Sequence, residues 1–558
     1  MKASEEQIWY KSYPQGVSHQ INLDAYKSVL TVLDEACRKY KKSPAFTNMG
    51  VTLSFEEIDT LSGQFASFLQ NELRLKKGDR IALQMPNLLQ FPVALFGALR
   101  AGLVVVNTNP LYTPAEMKHQ FKDSGAKAVV ILSNYGSNLE KIIKDTQIES
   151  VVVTSIGELF PFPKNYIVDA VVKYVKKMVP AYNLPTAYSF KQALDLGSRK
   201  SYQEVPLQID DLAFLQYTGG TTGVSKGAML THRNVLANMS QIVEWMKPLL
   251  KAGEETVITA LPLYHIFSLT VNCLSFMRYG GHNILITNPR DIPDFIKTLK
   301  KTKFTALTGV NTLFNGLMNH PDFSKIDFSK VKLSVAGAMA LQKTVAERWK
   351  TMTKTPVFEG YGLTEASPVL TCNPIAGGDI VGTIGLPLPS TILKIVDEDN
   401  NEVPQGEPGE LCAQGPQVMK GYWQRPDETA KTIVGGWLKT GDMAMMMENG
   451  YFKIVDRKKD MILISGFNVY PNEVEDVIAT HPGVLEVAVV GIPDKEGNEI
   501  VKAFVVKKDP NLTAEDVIKQ AKGSLTNYKI PKQVEFRAEL PKTNVGKILR
   551  RALRDEAK

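Results

Sequence analysis

Strand-like and helix-like stretches alternate between residues 80 and 154, and this alternation restricts the fold more than any other feature of the sequence. Each short apolar run is followed by a stretch of helical character, as in βαβ units with a parallel sheet. Thr113, Pro114 and Glu116 have the spacing of a capping box at a helix start. The sequence therefore predicts an α/β fold. The predicted strands are 80–87, 102–107, 127–132 and 151–154, and the predicted helices are 88–101, one beginning after Thr113, and one near 137–147.

Composition limits the class of protein. A chain of 558 residues is long enough for more than one domain. With 44% hydrophobic and 22% charged residues it resembles an ordinary globular protein. The net charge of +7 is compatible with anionic substrates or a membrane surface and too weak to indicate nucleic acid.

Cysteine usage and apolar runs indicate the compartment. The four cysteines are far apart and form neither a metal-binding pattern nor a disulfide framework. The first residues lack the apolar core of a signal peptide. The most apolar stretch, 91–106, is interrupted by Arg100 and Gly102, so no span is predicted. We therefore expect a protein of the reducing cytoplasm.

Residues 165–179 have the pattern of a basic amphipathic helix. Such a helix can lie on an anionic bilayer or pack against the core of its own protein. The predicted apolar face contains Ile167, Val168, Val171, Val172, Val175, Met178 and Val179. The predicted polar face contains Asp169, Lys173, Lys176 and Lys177.

The segment 217–228 follows a predicted strand, 212–217, and precedes a helix with Thr231 as its N-cap. Glycines allow the backbone to approach a ligand closely, while hydroxyl groups, backbone N–H groups and one lysine favour phosphate. The alternative is a flexible turn. The segment is not a Walker P-loop, because Gly227 follows the lysine where that motif has Ser or Thr. Its residues are Tyr217, Thr218, Gly219, Gly220, Thr221, Thr222, Gly223, Val224, Ser225, Lys226, Gly227 and Ala228.

This segment, YTGGTTGVSKGA, resembles the phosphate loop of the acyl-adenylate-forming enzymes, which include acyl-CoA synthetases, luciferases and peptide-synthetase adenylation domains. Further motifs of that superfamily follow in the same order. They are LPLYHIF at 261–267, EGYGLTEAS at 359–367, GWLKTGD at 436–442, DRKKD at 456–460 and PKTNVGKIL at 541–549.

The resemblance implies a site for ATP and an acyl group. His265 would lie near the acyl carboxylate and the adenylate, with Tyr264 and Phe267 as weaker candidates. In the GYGLTE motif, Gly360 and Gly362 would open the backbone. Tyr361 would stack on adenine, Thr364 would bind the AMP phosphate, and Glu365, together with Thr218, would hold Mg²⁺.

The later motifs complete the implied site. Asp442 would accept hydrogen bonds from the ribose hydroxyls and Arg457 would contact ribose and phosphate. Lys459 would be the hinge, Gly466 would line the path of the thiol, and Lys547 would be the catalytic lysine. Without the resemblance, residues 436–460 indicate only a hairpin with charged ends.

The resemblance also implies two domains, a large α/β domain at 1–456 and a small mobile α+β lid at 457–558. The large domain would have parallel and mixed sheets with helices. The lid is predicted to contain helices at 472–480, 513–525 and 547–557.

Nearly the whole chain resembles the bacterial long-chain-fatty-acid–CoA ligases, with matching segments such as NPLYTP, TNPRDIP, GYWQRP and SGFNVYPNEVED. The implied reaction is ATP-dependent ligation of a medium- to long-chain fatty acid to coenzyme A through an acyl-AMP, for β-oxidation. Residues 261–269 contain no acid to hold a substrate amine, and the chain ends soon after Lys547, so an amino-acid activator with a carrier domain is not expected.

Two alternatives remain open, an aryl-CoA ligase and a non-catalytic fatty-acid-binding or uptake protein. The resemblance further implies a cytoplasmic protein attached peripherally to the inner face of the cell membrane. A homodimer is possible, and nucleic acid is not an expected partner.

Overall fold

The protein is described from a computed structural model, which covers residues 7–24, 26–218, 225–464, 467–494, 499–543 and 546–557. Within these residues no helix combines the length and the apolar character needed to cross a membrane. All four cysteines are buried and free, which agrees with the predicted absence of a disulfide framework.

Twenty-six strands are present in the described residues. In chain order they are β1 Pro44–Asn48, β2 Val51–Ser54, β3 Arg80–Gln84, β4 Val104–Asn107, β5 Ala128–Leu132, β6 Ser150–Thr154, β7 Tyr188–Ser189, β8 Leu212–Thr218, β9 Lys226–Thr231, β10 Thr256–Thr259, β11 His282–Leu285, β12 Ala306–Gly309, β13 Leu333–Ala336, β14 Val357–Gly362, β15 Val369–Cys372, β16 Leu386–Pro387, β17 Ile392–Val396, β18 Gly409–Gln414, β19 Ile433–Val434, β20 Trp437–Met446, β21 Phe452–Arg457, β22 Ile462–Ile464, β23 Phe467–Val469, β24 Val484–Pro493, β25 Glu499–Lys507 and β26 Gln533–Arg537.

Sixteen α-helices accompany the strands in the described ranges. They are α1 Val29–Lys39, α2 Phe55–Asn71, α3 Gln90–Arg100, α4 Pro114–Ser124, α5 Gly136–Glu140, α6 Lys164–Ala170, α7 Phe190–Gly197, α8 His232–Met246, α9 Phe276–Arg278, α10 Ile292–Lys301, α11 Asn311–Met318, α12 Lys343–Thr353, α13 Pro426–Thr432, α14 Pro471–Ala479, α15 Ala514–Lys522 and α16 Arg550–Glu556.

The predicted alternation of strands and helices forms a seven-stranded sheet with the order β7-β6-β5-β3-β4-β8-β9. Its strands pair in parallel except for β9, which returns antiparallel to β8. The capping box at the start of α4 is confirmed, since Thr113 and Glu116 bond each other's backbone N–H. The helix predicted near 137–147 is shorter, ending at Glu140, and a 3-10 turn, Ile143–Asp145, follows it.

A second sheet has nine strands in the order β16-β15-β14-β13-β12-β10-β11-β1-β2. Its central strands β10 to β14 are parallel, so their carboxyl ends lie along one edge. In parallel sheets ligands bind outside this edge. The α/β class is therefore confirmed. The motif at 261–267 follows β10 of this sheet, and the motif at 359–367 begins within β14.

A third sheet carries the motifs at 436–460. Strands β20 and β21 form an antiparallel hairpin within the five-stranded sheet, and Asp442 faces Arg457 across it. The predicted hairpin is therefore present, and it brings the acid of one strand, Asp442, next to the base of the other, Arg457.

The residues after 460 form their own small sheets, β22-β23 and β24-β25-β26, with helices α14 to α16. Two hydrophobic clusters consist entirely of residues from Ile462 onward, as expected for a small α+β unit. The division at 456/457 stays a prediction. The predicted helix 547–557 begins only at Arg550, because Gly546, with φ of 83°, and Lys547 form a turn closed by Thr543.

The prediction for residues 165–179 is wrong in two respects. The helix continues α6 only as a π turn, Val171–Val175, and Lys177 then adopts a positive φ of 52°. Its faces also differ, because Asp169 points inward and accepts hydrogen bonds from Ser155 Oγ and Gly157 N. The apolar residues Ile167, Val171, Val175 and Met178 are exposed, whereas Val168 packs against a hydrophobic core cluster, so this stripe is only partly packed on the core.

Candidate active site

A cavity of about 2050 Å³ lies between the carboxyl ends of the two large sheets and the carboxyl-terminal unit. Pockets for one drug-sized ligand measure about 300–1,000 Å³, so this cavity has room for more than one group. It brings most of the predicted site residues together. They are Tyr217, Thr218, Lys226, Tyr264, His265, Phe267, Gly360, Tyr361, Gly362, Thr364, Glu365, Asp442, Arg457, Lys459 and Lys547.

The remaining predicted residues do not line it. Ser225 lies beside the cavity, where its carbonyl is 3.0 Å from His119 Nε2, and Gly227 and Ala228 belong to β9. Ala228 is fully buried and bridges to Tyr422. The predicted residues Gly219, Gly220, Thr221, Thr222, Gly223, Val224 and Gly466 are outside the described residues.

The ends of the phosphate loop are fixed by the β8–β9 hairpin, in which Thr218 pairs with Lys226. Tyr217 Oη donates a 2.7 Å hydrogen bond to Asp123 Oδ2. Arg425 Nη2 bonds the other oxygen of the same carboxylate at 2.6 Å. Asp123 therefore ties the loop hairpin to the segment around Arg425, a role that no motif in the sequence indicated.

Lys226 has two neighbours that sequence reasoning missed. Its ammonium is 2.8 Å from Glu428 Oε2 and lies over the Tyr422 ring, 4.7 Å from the centroid. Tyr422 Oη in turn donates a 2.6 Å hydrogen bond to Glu365 Oε1. Tyr422 is part of the GYWQRP segment, so the resemblance contained a signal for it. Glu428 had none.

The GYGLTE motif enters the cavity at the end of β14. Tyr361 Oη donates to Asp442 Oδ2 at 2.7 Å. Burial, followed by the charge of Asp442, raises the pKa of Tyr361 well above its usual range, so the hydroxyl stays protonated and can donate. Gly362 lies against the backbone of Pro368, where a Cβ would be only 2.1 Å from the carbonyl oxygen. The motif thus needs glycine there for close packing.

Lys547 reaches the cavity from the other side. Its backbone N–H donates to Thr543 Oγ1, and the carbonyl of Gly546 accepts from Thr312 Oγ1 at 3.2 Å, so the lysine turn contacts α11. Burial, followed by repulsion from Arg457, lowers the pKa of Lys547 to about 7. The same two causes lower the pKa of Lys459 to about 8.

His265 lines the same cavity and follows β10 in the chain. Its Nδ1 accepts a hydrogen bond from the backbone of Phe267 at 3.3 Å. Burial lowers the pKa of His265 to about 4, and the charge of Lys547 contributes to this shift. The imidazole is therefore neutral at physiological pH and acts as a polar group rather than as a cation.

Part of the cavity lining is apolar and belongs to one hydrophobic cluster, and we name this part the apolar branch. Glu359 is a polar residue beside these apolar side chains. Burial raises the pKa of its carboxyl to about 8, although the Leu341 N–H donates a hydrogen bond to it. The branch has hydrocarbon walls that suit an alkyl chain. Its lining residues include Ile242, Trp245, Met246, Phe267, Val271, Leu333, Val335, Val369, Ile375, Ile384 and Leu388.

The two predicted metal ligands supply oxygen atoms, the ligand type that Mg²⁺ prefers. Glu365 and Thr218 both line the cavity, and Tyr422 bonds only one oxygen of the Glu365 carboxylate. Mg²⁺ commonly binds through one or two protein oxygens together with substrate phosphates and water. Within the described residues, no group of three or more His, Cys, Asp or Glu side chains could hold a metal by itself. The donor set fits a metal that arrives with a nucleotide.

Comparison with known proteins agrees with this geometry. The sequence pattern of the family described as AMP-binding enzyme matches residues 33–423, and that of the AMP-binding enzyme C-terminal domain matches residues 473–547. The chain is 57% identical over 553 residues to a long-chain-fatty-acid–CoA ligase of Escherichia coli O6:H1, with 99% of both chains covered. It is 51% identical to the protein of that name from Haemophilus influenzae, covering 99% of this chain and 98% of the relative.

Solved structures share the fold. The ATP-bound MatB from Rhodopseudomonas palustris has a TM-score of 0.81 at 28% identity, covering 95% of this chain and 99% of that one. The anthranilate CoA ligase AuaEII with anthranoyl-AMP has a TM-score of 0.85 at 24% identity, covering 96% and 98%, and shows the fold alone. The chain therefore belongs to the family of AMP-binding enzymes, and within that family it groups with proteins named long-chain-fatty-acid–CoA ligases.

Proposed function

We propose that this enzyme ligates long-chain fatty acids to coenzyme A at the expense of ATP. One observation carries the proposal. A single cavity is lined by the nucleotide motifs, by an apolar branch, and by both Lys547 and His265. The relatives named for the same reaction at 51–57% identity support it.

The proposed reaction has two steps. A carboxylate oxygen of the fatty acid attacks the α-phosphorus of ATP and pyrophosphate leaves, which gives an acyl-AMP. The sulfur of coenzyme A then attacks the acyl carbon, the thiol loses its proton, and AMP leaves. Both steps bring anions together, so alignment and neutralisation of charge are the main requirements.

Each predicted site group has a proposed role. Lys547 in its protonated form would neutralise charge between the carboxylate and the α-phosphate. Asp442 would accept the ribose hydroxyls beside Arg457, and Tyr361 would lie against adenine. The loop 217–228 and Thr364 would bind phosphate oxygens, and neutral His265 would orient the acyl carboxylate.

Glu365 and Thr218 would hold Mg²⁺ bound to the nucleotide. The ion would supply further neutralisation of phosphate charge. Replacement of Glu365 by Gln should raise the Mg²⁺ concentration needed for nucleotide binding, measured by titrating Mg²⁺ against binding of a fluorescent ATP analogue. An unchanged Mg²⁺ requirement would remove Glu365 from the metal site.

Lys547 lines the cavity in this structure, and coenzyme A must reach the acyl-AMP there for the second step. A rotation of the carboxyl-terminal unit about Lys459 would withdraw the lysine, and the segment containing Gly466 would then line the thiol path. Such lid motions also exclude water from reactive intermediates.

Pyrophosphate release with ATP, Mg²⁺ and a panel of acids tests the function. Release that is greatest from dodecanoate to octadecanoate, with multiple turnovers only in the presence of coenzyme A, is the expected result. Preference for benzoate or cinnamate would identify an aryl-CoA ligase instead. Fatty-acid binding without pyrophosphate release would favour a non-catalytic binding protein.

We further propose that the enzyme acts in the cytoplasm and attaches to the inner face of the cell membrane through the 162–178 patch. This patch is the exposed apolar surface formed by Phe162, Tyr166, Ile167, Val171, Tyr174, Val175 and Met178. Phe162 is 81% exposed, Val175 73% and Tyr174 68%. Lys173, Lys176 and Lys177 are also exposed beside it. Aromatic rings with adjacent lysines suit an anionic lipid surface.

A homodimer stays a prediction.

Co-sedimentation with vesicles containing anionic lipid tests the patch. The variant Phe162→Ser/Tyr174→Ser/Val175→Ser should lose most vesicle binding while keeping its activity on soluble substrate. Val381→Ser, at a residue that is 44% exposed elsewhere, is the matched control and should bind as the unmodified protein does. Equal vesicle binding by all three proteins would exclude the patch as the membrane contact.

A further inference from the structure

A buried ionic cluster surrounds Arg550, three residues after Lys547. Arg550 is the first residue of α16, and its guanidinium bonds both oxygens of Glu475 in α14, Nε to Oε1 at 3.0 Å and Nη2 to Oε2 at 2.6 Å. It also bonds Asn472 Oδ1. These contacts lie within the carboxyl-terminal unit and fix the start of the helix that follows the lysine.

The cluster also makes hydrogen bonds across the proposed hinge. Arg550 Nη1 donates to Asp456 Oδ1 at 3.1 Å, and Asp456 belongs to β21, before Lys459. The other oxygen, Asp456 Oδ2, accepts from the backbone N–H of Asn472 at 2.8 Å. The Asn472 side chain also reaches the Val455 carbonyl at 3.4 Å. Three hydrogen bonds thus join β21 to α14 and α16.

Burial makes these contacts specific to one orientation of the lid. The Asp456 side chain is fully buried, and Arg550 is its charged partner only while α16 lies against β21. The backbone N–H of Arg457, in the same strand, donates to Asp456 Oδ1 at 2.7 Å in addition. A buried carboxylate without its partners is costly, so turning the unit about Lys459 would require water to replace Arg550. The carboxylate therefore favours the orientation that places Lys547 in the cavity.

We propose that Asp456 is a latch that holds the carboxyl-terminal unit in the lysine-in orientation through Arg550 and Asn472, and so favours acyl-AMP formation over thioester formation. Asp456 and Arg550 are positioning residues in this proposal, because they act through the placement of Lys547. The inference rests on the proposed function, including its hinge near Lys459. It adds residues that set the balance between the two steps.

The two half-reactions measured separately test the latch. Fatty-acid-dependent exchange of labelled pyrophosphate into ATP reports acyl-AMP formation, and release of AMP from supplied palmitoyl-AMP with coenzyme A reports the thioester step. Asp456→Asn removes the charge with little change in shape. We expect exchange to fall about tenfold, since the charge-assisted hydrogen bond from Arg550 is lost, and the thioester step to stay the same or become faster.

A second variant and a control make the result specific. Arg550→Lys keeps a charge beside Glu475 but cannot bond Asp456 in the same geometry, so it should shift the ratio in the same direction. Lys529→Gln breaks the 2.7 Å ion pair with Glu473, which also involves α14 but does not cross the hinge, and should leave the ratio unchanged.

Equal losses in both half-reactions, or an unchanged ratio in both variants, would overturn the latch. If one variant fails to fold, as judged by thermal unfolding, the ratio in the other decides. Failure of the proposed function would look different, because the unmodified protein itself would show no fatty-acid-dependent exchange.

Discussion

Asp442 and Arg457 face each other across the β20–β21 hairpin, with Arg457 Nε 3.3 Å from Asp442 Oδ1. Tyr361 from another sheet bonds the second oxygen of the same carboxylate. The hairpin therefore brings an acceptor and a cation to one wall of the cavity. Each carboxylate oxygen keeps a lone pair for a further donor, such as a ribose hydroxyl.

Replacement of Asp442 by Asn should weaken ATP binding, because an amide offers one acceptor oxygen where the carboxylate offers two. A loss of about 1–3 kcal/mol corresponds to a rise in KM for ATP of roughly 5- to 150-fold. The KM for the fatty acid should change little. Initial rates of pyrophosphate release at varied ATP measure this, and a rise confined to the fatty-acid KM would contradict the placement of ribose at Asp442.

Replacement of Lys547 by Ala should slow acyl-AMP formation by about a hundredfold or more, as expected for removal of a group that stabilises transition-state charge. Thioester formation from supplied palmitoyl-AMP should be largely retained, because that step requires the lysine to leave. Pyrophosphate exchange and AMP release measure the two steps. Equal loss of both would exclude the role given to Lys547.

The buried charge of Lys547 also predicts how stability depends on pH. Its pKa is about 7 in the folded protein and about 10.4 in an unfolded chain, so between these values the unfolded state binds more protons. The contribution of Lys547 to the free energy of unfolding therefore rises with pH across this window, and its destabilising effect is greatest below pH 7.

The variant Lys547→Met lacks this contribution. We expect it to be more stable than the unmodified protein near neutral pH, with a difference that shrinks as pH approaches the ordinary lysine pKa. Urea unfolding of both proteins across this window measures the difference. A difference that does not vary with pH would show that Lys547 keeps its ordinary pKa.

The two glycines of the GYGLTE motif should respond differently to alanine. A Cβ on Gly362 would be 2.1 Å from the Pro368 carbonyl oxygen, whereas a Cβ on Gly360 would have no neighbour closer than 3.6 Å. Gly362→Ala should lower the free energy of unfolding by about 1–3 kcal/mol, and Gly360→Ala, the matched control, by much less. Equal melting temperatures for the two variants would argue against the close packing at Gly362.

Enlargement of Val335 should change the preferred length of the acid. Val335 lines the apolar branch, and Phe at this position would occupy space that a long alkyl chain needs. Val335→Phe should lower kcat/KM for hexadecanoate relative to octanoate while leaving the KM for ATP unchanged. A panel of saturated acids measures the shift, and an unchanged length profile would place the alkyl chain elsewhere.

The sequence by itself determined the α/β class, the capping box at Thr113 and the order of the motifs. These features depend only on residues that are near each other in the chain, such as alternating apolar runs or a Thr and a Glu three positions apart. The resemblance of the sequence to the acyl-adenylate-forming enzymes pointed to Lys547 and Asp442 as candidates, although 105 positions separate them in the chain. It could not show that they line one cavity, since that depends on how three sheets and the carboxyl-terminal unit pack.

Only the tertiary structure decided which side chains surround the candidates. Nothing in the sequence distinguishes Asp123, Glu428 and Asp456 from acidic residues on a protein surface. Their roles come from contacts with residues that are distant in the chain. Residues 165–179 are a second case. Their helical period is visible in the sequence, but the surroundings of the helix are not. Which of its side chains face the core and which face the solvent is seen only in the structure, where Asp169 bonds the backbone of Gly157 and Ile167, Val171 and Val175 are exposed.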